Sequence, residues 1–309
     1  MNMMRFTTMK TKLRKYPSIF LILLLAISSC FLTGCVNQHP KDSKKSSQGE
    51  SVETMLEITD PKEKQAVLNA KAKVKALSGN PRIVATSPAV ADICDKLDLD
   101  LVGVPKSSVS KIPSRYKKVK KVGLAMSPDM EIVSSLNPDW ILAPSSLETD
   151  LKPKFEELKN TEYAFLNLRS VQGMYRSVQE LGEIFGKQQE AEKMTKEFTT
   201  FYKSYTKRNK NKKHPKVLVL MGLPGSYVIA TENSYVGSLV KLAGGENVYQ
   251  NTDQEFLTVN TEDMKKKEPD IIVRAAHALP DQVTKMFNED FETCLLYTSD
   301  AADEARSVD

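Results

Sequence analysis

The sequence predicts an α/β protein of two similar lobes, and three observations carry that expectation. Short apolar strand-like runs alternate with helical patterns, first from residue 81 and again from residue 214. The same Pro-Asp element occurs in each half, as Pro138-Asp139 and Pro269-Asp270, and the same spacing carries Glu131 onto Glu262. A long helical stretch separates the two halves. Short apolar strands alternating with helices favour parallel sheets covered on both faces, and two such units in one chain make two lobes.

Segment by segment, residues 1–35 read as an export signal, residues 36–80 as a polar tether with a short charged helix, and residues 81–168 as the first α/β lobe. Residues 169–213 read as a helical connector, 214–293 as an incomplete second lobe and 294–309 as a non-native tail. The signal contains five basic residues ending at Lys15, the apolar run Ile19–Ile27 and then Leu32-Thr33-Gly34-Cys35. The apolar run is short of the ~20 residues that a spanning helix needs. Small residues just before a cysteine fit cleavage ahead of a lipidated thiol, so Cys35 is the expected acylation site, with palmitate-type chains anchoring the protein at the extracytoplasmic face of the cell membrane. Several acyl chains anchor stably where one does not.

The 309 residues carry a net charge of +5, and the five basic residues of the signal account for all of it, leaving residues 36–309 formally neutral. The basic balance therefore gives no support to a nucleic-acid partner. Residues 37–51 contain no aromatic residue and read as a solvated spacer. The stretch 60–78 is a charged helical pattern. Cys94 lies in the next helical pattern and reads as a small buried hydrophobe. CLLYTSDAADEARSVD, from Cys294 on, lacks the periodicity of what precedes it, so the natural sequence is expected to stop near Thr293.

Within the first lobe, Ile83–Thr86 and Leu101–Val104 read as strands around a helix over Ala89–Leu97. The run from Ser127 to Ala143 then reads as a capped helix, a Pro-Asp turn and a buried strand. In the connector, Met174, Val178, Leu181 and Phe185, then Met194, Phe198, Phe201 and Tyr205, recur at spacings of three and four, broken at Gly186. Gln188–Arg208 would make a rod of about 32 Å at about 1.5 Å per residue. The basic run Lys207–Lys213 that ends it reads as a solvated helix terminus. The second lobe supplies a strand at Val217–Met221, a helix at Tyr235–Ala243 stopped by Gly244-Gly245, and a capped helix, Pro-Asp turn and strand from Asn260 to Arg274.

An acylated chain with two α/β lobes, a bracing helix and a repeated Pro-Asp-strand element resembles the helical-backbone class of ABC-importer substrate-binding proteins, which carry siderophores, cobalamin and haem. KVLVLMGLPGSYVIAT at 216–231, YVGSLVKLAGGENV at 235–248, VGLAMSPDME at 122–131 and RAAHALPDQV at 274–283 resemble, more narrowly, the haem-receptor lipoproteins of iron-regulated surface determinant systems. The resemblance implies Rossmann-like lobes joined by the bracing helix, the second truncated here, and haem b held axially by one methionine and one histidine. On the matching motifs these are Met126 and His277. It further implies delivery to a permease driven by a cytoplasmic ATPase, haem-donor surface proteins as suppliers, and an acidic permease contact on each lobe, for which Glu148 and Asp281 are candidates. A monomer is expected. Arg274 and Tyr227 are candidate propionate donors.

Read without the resemblance, Met126 and His277 each flank a repeat element at loops where open α/β sheets present ligands. A thioether and an imidazole suit the two faces of a haem iron. His214, beside Pro215, reads as structural. Residues 222–226 lack the lysine of a phosphate loop, and the Ser108–Lys111 and Ser204–Lys207 spellings of S-x-x-K stand without S-D-N or K-T-G, so no enzyme is expected. With His39 in the tether, only His214 and His277 remain for a zinc or manganese site, too few for one. A ferric-siderophore receptor on the same scaffold is the alternative, with Arg169, Arg274, Trp140 and Tyr227 facing an anionic chelate.

Overall fold

The computed structural model describes residues 55–108, 110–223, 225–276 and 280–294. The signal, Cys35, His39, most of the polar tether, His277 and residues 295–309 lie outside the described residues. Helix α1 spans Pro61–Lys75, capped by Asp60, whose side chain accepts from the Lys62 backbone N–H at 2.7 Å. The first lobe then runs β1 (Ile83–Ala85), α2 (Pro88–Lys96), β2 (Leu101–Val104), β3 (Lys120–Lys121), β4 (Gly123–Leu124), β5 (Ser127–Pro128), α3 (Met130–Ser135), β6 (Trp140–Pro144), α4 (Glu148–Glu156) and β7 (Glu162–Leu166). Its main sheet has the order β3-β2-β1-β6-β7, parallel throughout. The order reverses between β1 and β6, which places the ligand-accepting crevice at the carboxyl ends of those strands.

Two helices connect the lobes, α5 (Val171–Phe185) and α6 (Gln188–Asn209). Between them Gly186 takes a left-handed φ of 70°, a conformation that costs glycine little and ends the helix. The connector is therefore a packed pair, and only α6 is a long rod. Helix α5 belongs to the first-lobe core: Val178, Leu181 and Ile184 pack in one cluster with Ile83, Cys94 and Trp140, and the Trp140 ring meets Phe185 edge-on at 5.6 Å. Helix α1 joins the same cluster through Val67 and Ala70. The Arg176 guanidinium donates to the Met55 carbonyl at 2.7 Å, and Gln179 donates to the Leu56 carbonyl at 3.2 Å. A charged prelude in the sequence is thus a docked helix, its apolar positions diluted by five lysines that face solvent or ion-pair, as Lys71 does with Glu183.

The second lobe comprises β8 (Lys216–Leu223), β9 (Ser226–Ala230), α7 (Tyr235–Leu242), β10 (Glu246–Asn247), β11 (Phe256–Leu257), α8 (Thr261–Lys266), β12 (Ile271–Ala276) and α9 (Pro280–Cys294). Its sheet is mixed, which corrects the expectation of parallel sheets in both lobes. Strand β8 pairs in parallel with β10 and β12 but antiparallel with β9, and β9 pairs antiparallel with β11. The physical reason lies in the 223–226 turn, where Gly225 at φ 80° sends the chain straight back instead of into a crossover helix. Among the described residues β12 pairs with β8 alone, and Ile271 and Ile272 on it are exposed.

The internal repeat is visible atom by atom. In the first lobe the Asp139 carboxylate accepts from the Arg82 backbone N–H at 2.7 Å while the Asp139 N–H donates to the Arg82 carbonyl at 2.9 Å. In the second, Asp270 does the same to Lys216 at 2.7 and 2.9 Å. Asn137 and Glu268, each two residues before these aspartates, take φ of 45° and 47°, and Asp129 and Asn260 cap the preceding helices. In each lobe the Pro-Asp turn ties the start of the first strand to the start of the strand beside it.

Cys94 is buried and unpaired, and burial pushes its thiol up to about 12. A thiolate is the reactive form, so Cys94 in the native protein should label with a thiol reagent at least about tenfold more slowly than in denaturant. Equal rates in the two states would place it at the surface.

Candidate ligand cleft

In the first lobe, Met126 lies in the loop region beyond the carboxyl end of β2. Val122 is fully buried and its N–H donates to the Val104 carbonyl at 2.9 Å, pinning the chain before it turns out into the β4–β5 hairpin. Gly123 has φ 97°, and a Cβ there would lie 2.8 Å from the Asp129 backbone nitrogen, so only glycine fits. Its carbonyl accepts from the Lys106 N–H at 2.7 Å, and Asp129 closes the hairpin by donating to the Val122 carbonyl at 2.7 Å. The Asp129 carboxylate then caps α3, accepting from Glu131 and Ile132 at 3.1 Å each. A hairpin held this firmly at its base presents two large apolar side chains to solvent, Leu124 at 58% exposure and Met126 at 74%. Sequence reasoning singled out Met126 and missed Leu124; the alternation across a two-residue turn was the available signal.

In the second lobe Gly222 is flanked on one side by Tyr227 and on the other by Ala276, the last residue of β12. His277 follows it in the chain and lies outside the described residues. A Cβ on Gly222 would come 2.1 Å from Val283 and 2.8 Å from Phe287, so this glycine is what lets α9 rest on the sheet. Tyr227 packs on Phe287, centroid to centroid 5.3 Å. Arg274 donates to the Asn288 side chain at 2.8 Å, and its guanidinium lies 5.9 Å from the Phe287 centroid. Both candidate propionate donors thus contact α9, with Tyr227 at the strand-end edge and Arg274 two residues further back.

The other named residues fall as follows. His214 is exposed at the lobe junction, its Nδ1 2.7 Å from the Gly244 carbonyl. Arg169, just before α5, forms an ion pair with Glu255 of the second lobe. Trp140 is 2% exposed and walled into the first-lobe core, which removes it from any ligand surface and corrects its inclusion among siderophore-facing residues. Glu148 and Asp281 stand in the first turns of α4 and α9, the helices that follow the two repeat strands, so they occupy corresponding places on the two lobes. A polar cavity of about 530 Å³ lies between α1, α5 and the second lobe, lined by Glu63, Arg169, Arg176, Glu180 and Lys241 among others. It does not include Met126. Among the described residues no group of three or more His, Cys, Asp or Glu is placed to hold a metal ion.

Two α/β lobes joined by a helical connector, with a topological switch point between β1 and β6 in the first sheet, have the architecture of a substrate-binding protein. The chain belongs to the periplasmic binding protein family, whose model matches residues 83–302. It is 41% identical over 216 residues to the high-affinity heme uptake system protein IsdE of Staphylococcus aureus, spanning 70% of this chain and 73% of that one. Two solved structures share its fold at TM-score 0.65. One is an ABC transporter substrate-binding protein from Listeria monocytogenes, 47% identical over 70% of this chain and 83% of that one. The other is S. aureus IsdE complexed with heme, 40% identical over 71% of this chain and 84% of that one.

Proposed function

We propose that this protein is a membrane-tethered haem receptor that passes its cargo to an ABC permease for iron acquisition. The observation that carries the reading is the 41% identity to a haem uptake protein across both lobes. The geometry of the first lobe supports it: a rigid hairpin displays the Met126 thioether and the Leu124 side chain, a soft donor beside an apolar surface. A porphyrin takes both, the iron accepting sulfur on one face while the macrocycle covers apolar side chains. His277 supplies the imidazole for the opposite face, with Tyr227 near the propionates. Arg274, engaged by Asn288 and Phe287, makes the weaker donor. Glu148 and Asp281 meet basic residues of the permease, one contact per lobe, while an ATPase partner supplies the energy and surface haem carriers supply the cargo. The ferric-siderophore alternative is weakened by the engagement of Arg169 with Glu255 and the burial of Trp140.

Titrating haem into the purified chain tests the reading: a saturable, equimolar Soret band of a six-coordinate low-spin species is expected. Failure to bind haem together with binding of a ferric siderophore would replace it. The anchor is tested separately. Cys35→Ala should abolish fatty-acid labelling and release the protein from membranes, since acylation of that thiol is the tether; continued membrane retention would refute lipidation at Cys35.

A further inference from the structure

The bracing helix α6 is only half supported. Ala191 and Thr199 are its buried residues, and beyond Thr199 none of its positions is buried. That unsupported half is not charge-balanced, and it carries exposed rings. From Phe198 to Lys213 the chain carries four aromatic residues, six basic residues and no acidic one. The aromatics form a ladder along the helix: Tyr175 of α5 stacks on Phe198 at 4.6 Å, Phe198 on Tyr202 at 5.7 Å, and Tyr205 lies 6.4 Å from Tyr202 and 6.1 Å from Phe201. Phe201 is 60% exposed. The neighbouring helix α7, tied to α6 where the Tyr205 hydroxyl donates to the Ala243 carbonyl at 2.8 Å, adds exposed Tyr235 and Leu239. A solvated helix end explains the lysines but not a stacked aromatic row left open beside them.

We propose that this strip, the aromatic ladder of α6 together with the basic run Lys207–Lys213, is a docking surface for an anionic phospholipid membrane. Aromatic side chains with an apolar body and a polar tip settle at the headgroup level, and clustered lysines and arginines are drawn to anionic headgroups. Uniform positive charge beside exposed rings matches such a surface on both counts. The position is also permissive. The basic run ends three residues before Lys216 at the start of β8, while the cleft-edge turn lies at the far end of that strand, about 26 Å away for eight residues. A bilayer held at the basic run would therefore meet the end of β8 opposite its cleft-edge turn.

The test places an indole in the strip of the full chain reconstituted in vesicles. The sequence has a single tryptophan, Trp140, and it is buried, so F201W adds the one emitter near lipid. Should F201W fail to fold, T200W, exposed on the same turn, takes its place. At about 0.01 M salt, where charges act over about 30 Å, brominated phosphatidylglycerol should quench this emission about threefold or more over brominated phosphatidylcholine. At about 1 M salt, where the range is about 3 Å, the two lipids should quench alike. The exposed-residue variant K207Q/R208Q/K210Q/K212Q/K213Q should lose the difference at low salt. No quenching by either lipid would hand the strip to another occupant and overturn the proposal, as would equal quenching by both at low salt or a difference that survives charge removal.

Discussion

His277→Ala should leave a five-coordinate or water-ligated haem complex and accelerate haem loss by at least about 100-fold, because even partners one shell removed from a metal contribute about 10–100-fold. Met126→Ala should shift the spectrum while retaining far more haem. The difference follows from what each residue leaves behind. With His277 gone, a thioether on a solvent-facing hairpin is the sole axial donor; with Met126 gone, imidazole coordination and porphyrin burial both remain. Met126 is 74% exposed and Leu124 58%, so capping them with a macrocycle would recover about 1.5–3 kcal/mol per fully covered side chain. Leu124→Ala should therefore weaken haem retention without altering the spectrum, separating burial from ligation. His214→Ala should change neither, since its ring lies at the lobe junction against Gly244. Stopped-flow transfer to an excess haem scavenger reads the off-rates, and unchanged spectra in both Met126 and His277 variants would move the ligands to other positions.

Much of the scaffold was legible because the fold repeats itself. Pro138-Asp139 and Pro269-Asp270 announced a shared element, and the structure shows why the letters recur: each aspartate receives the first strand of its lobe through the same pair of hydrogen bonds. Strand and helix placements followed from apolar periodicity, and Gly186 marked its helix stop. What escaped the sequence was non-local. The antiparallel β8–β9 hairpin depends on a single turn, and an apolar run reads the same in a parallel or antiparallel strand. Docking of α1 rests on Val67 and Ala70, with Val74 packed against the same cluster, in a helix that is one-third lysine and whose apolar positions form no strong stripe. The Arg169–Glu255 link joins residues far apart in the chain and has no local signature. Met126 was singled out through its motif rather than its chemistry, since an isolated methionine is usually a core residue; its exposure on a pinned hairpin is a property of the fold.

Glu180→Gln should stabilise the protein at pH 8 and flatten the dependence of its stability on pH. Glu180 sits on the buried face of α5, 1% exposed, against Glu63 of α1, and neither of its carboxyl oxygens accepts a bond from a described donor. Burial first, then the neighbouring Glu63 carboxyl, pushes Glu180 up to about 10, with the Arg176 charge opposing. Across the cavity the charges of Arg169, Lys241, Glu232, Asp253 and Glu255 share the same polar space. The native state therefore holds a proton on Glu180 at pH 7 that the unfolded chain, with an ordinary carboxyl, has released. The native state is the one binding more protons, so stability is greatest below the unfolded carboxyl range and falls as pH rises towards about 10, by about 1.4 kcal/mol per unit from this group. A glutamine keeps the neutral shape at every pH, so the wild-type and Glu180→Gln curves should nearly meet at pH 4 and diverge by about 3 kcal/mol or more by pH 8. Denaturant unfolding at a series of pH values measures both, and parallel curves would mean that Glu180 is ionised in the folded protein and paired with Arg176 instead.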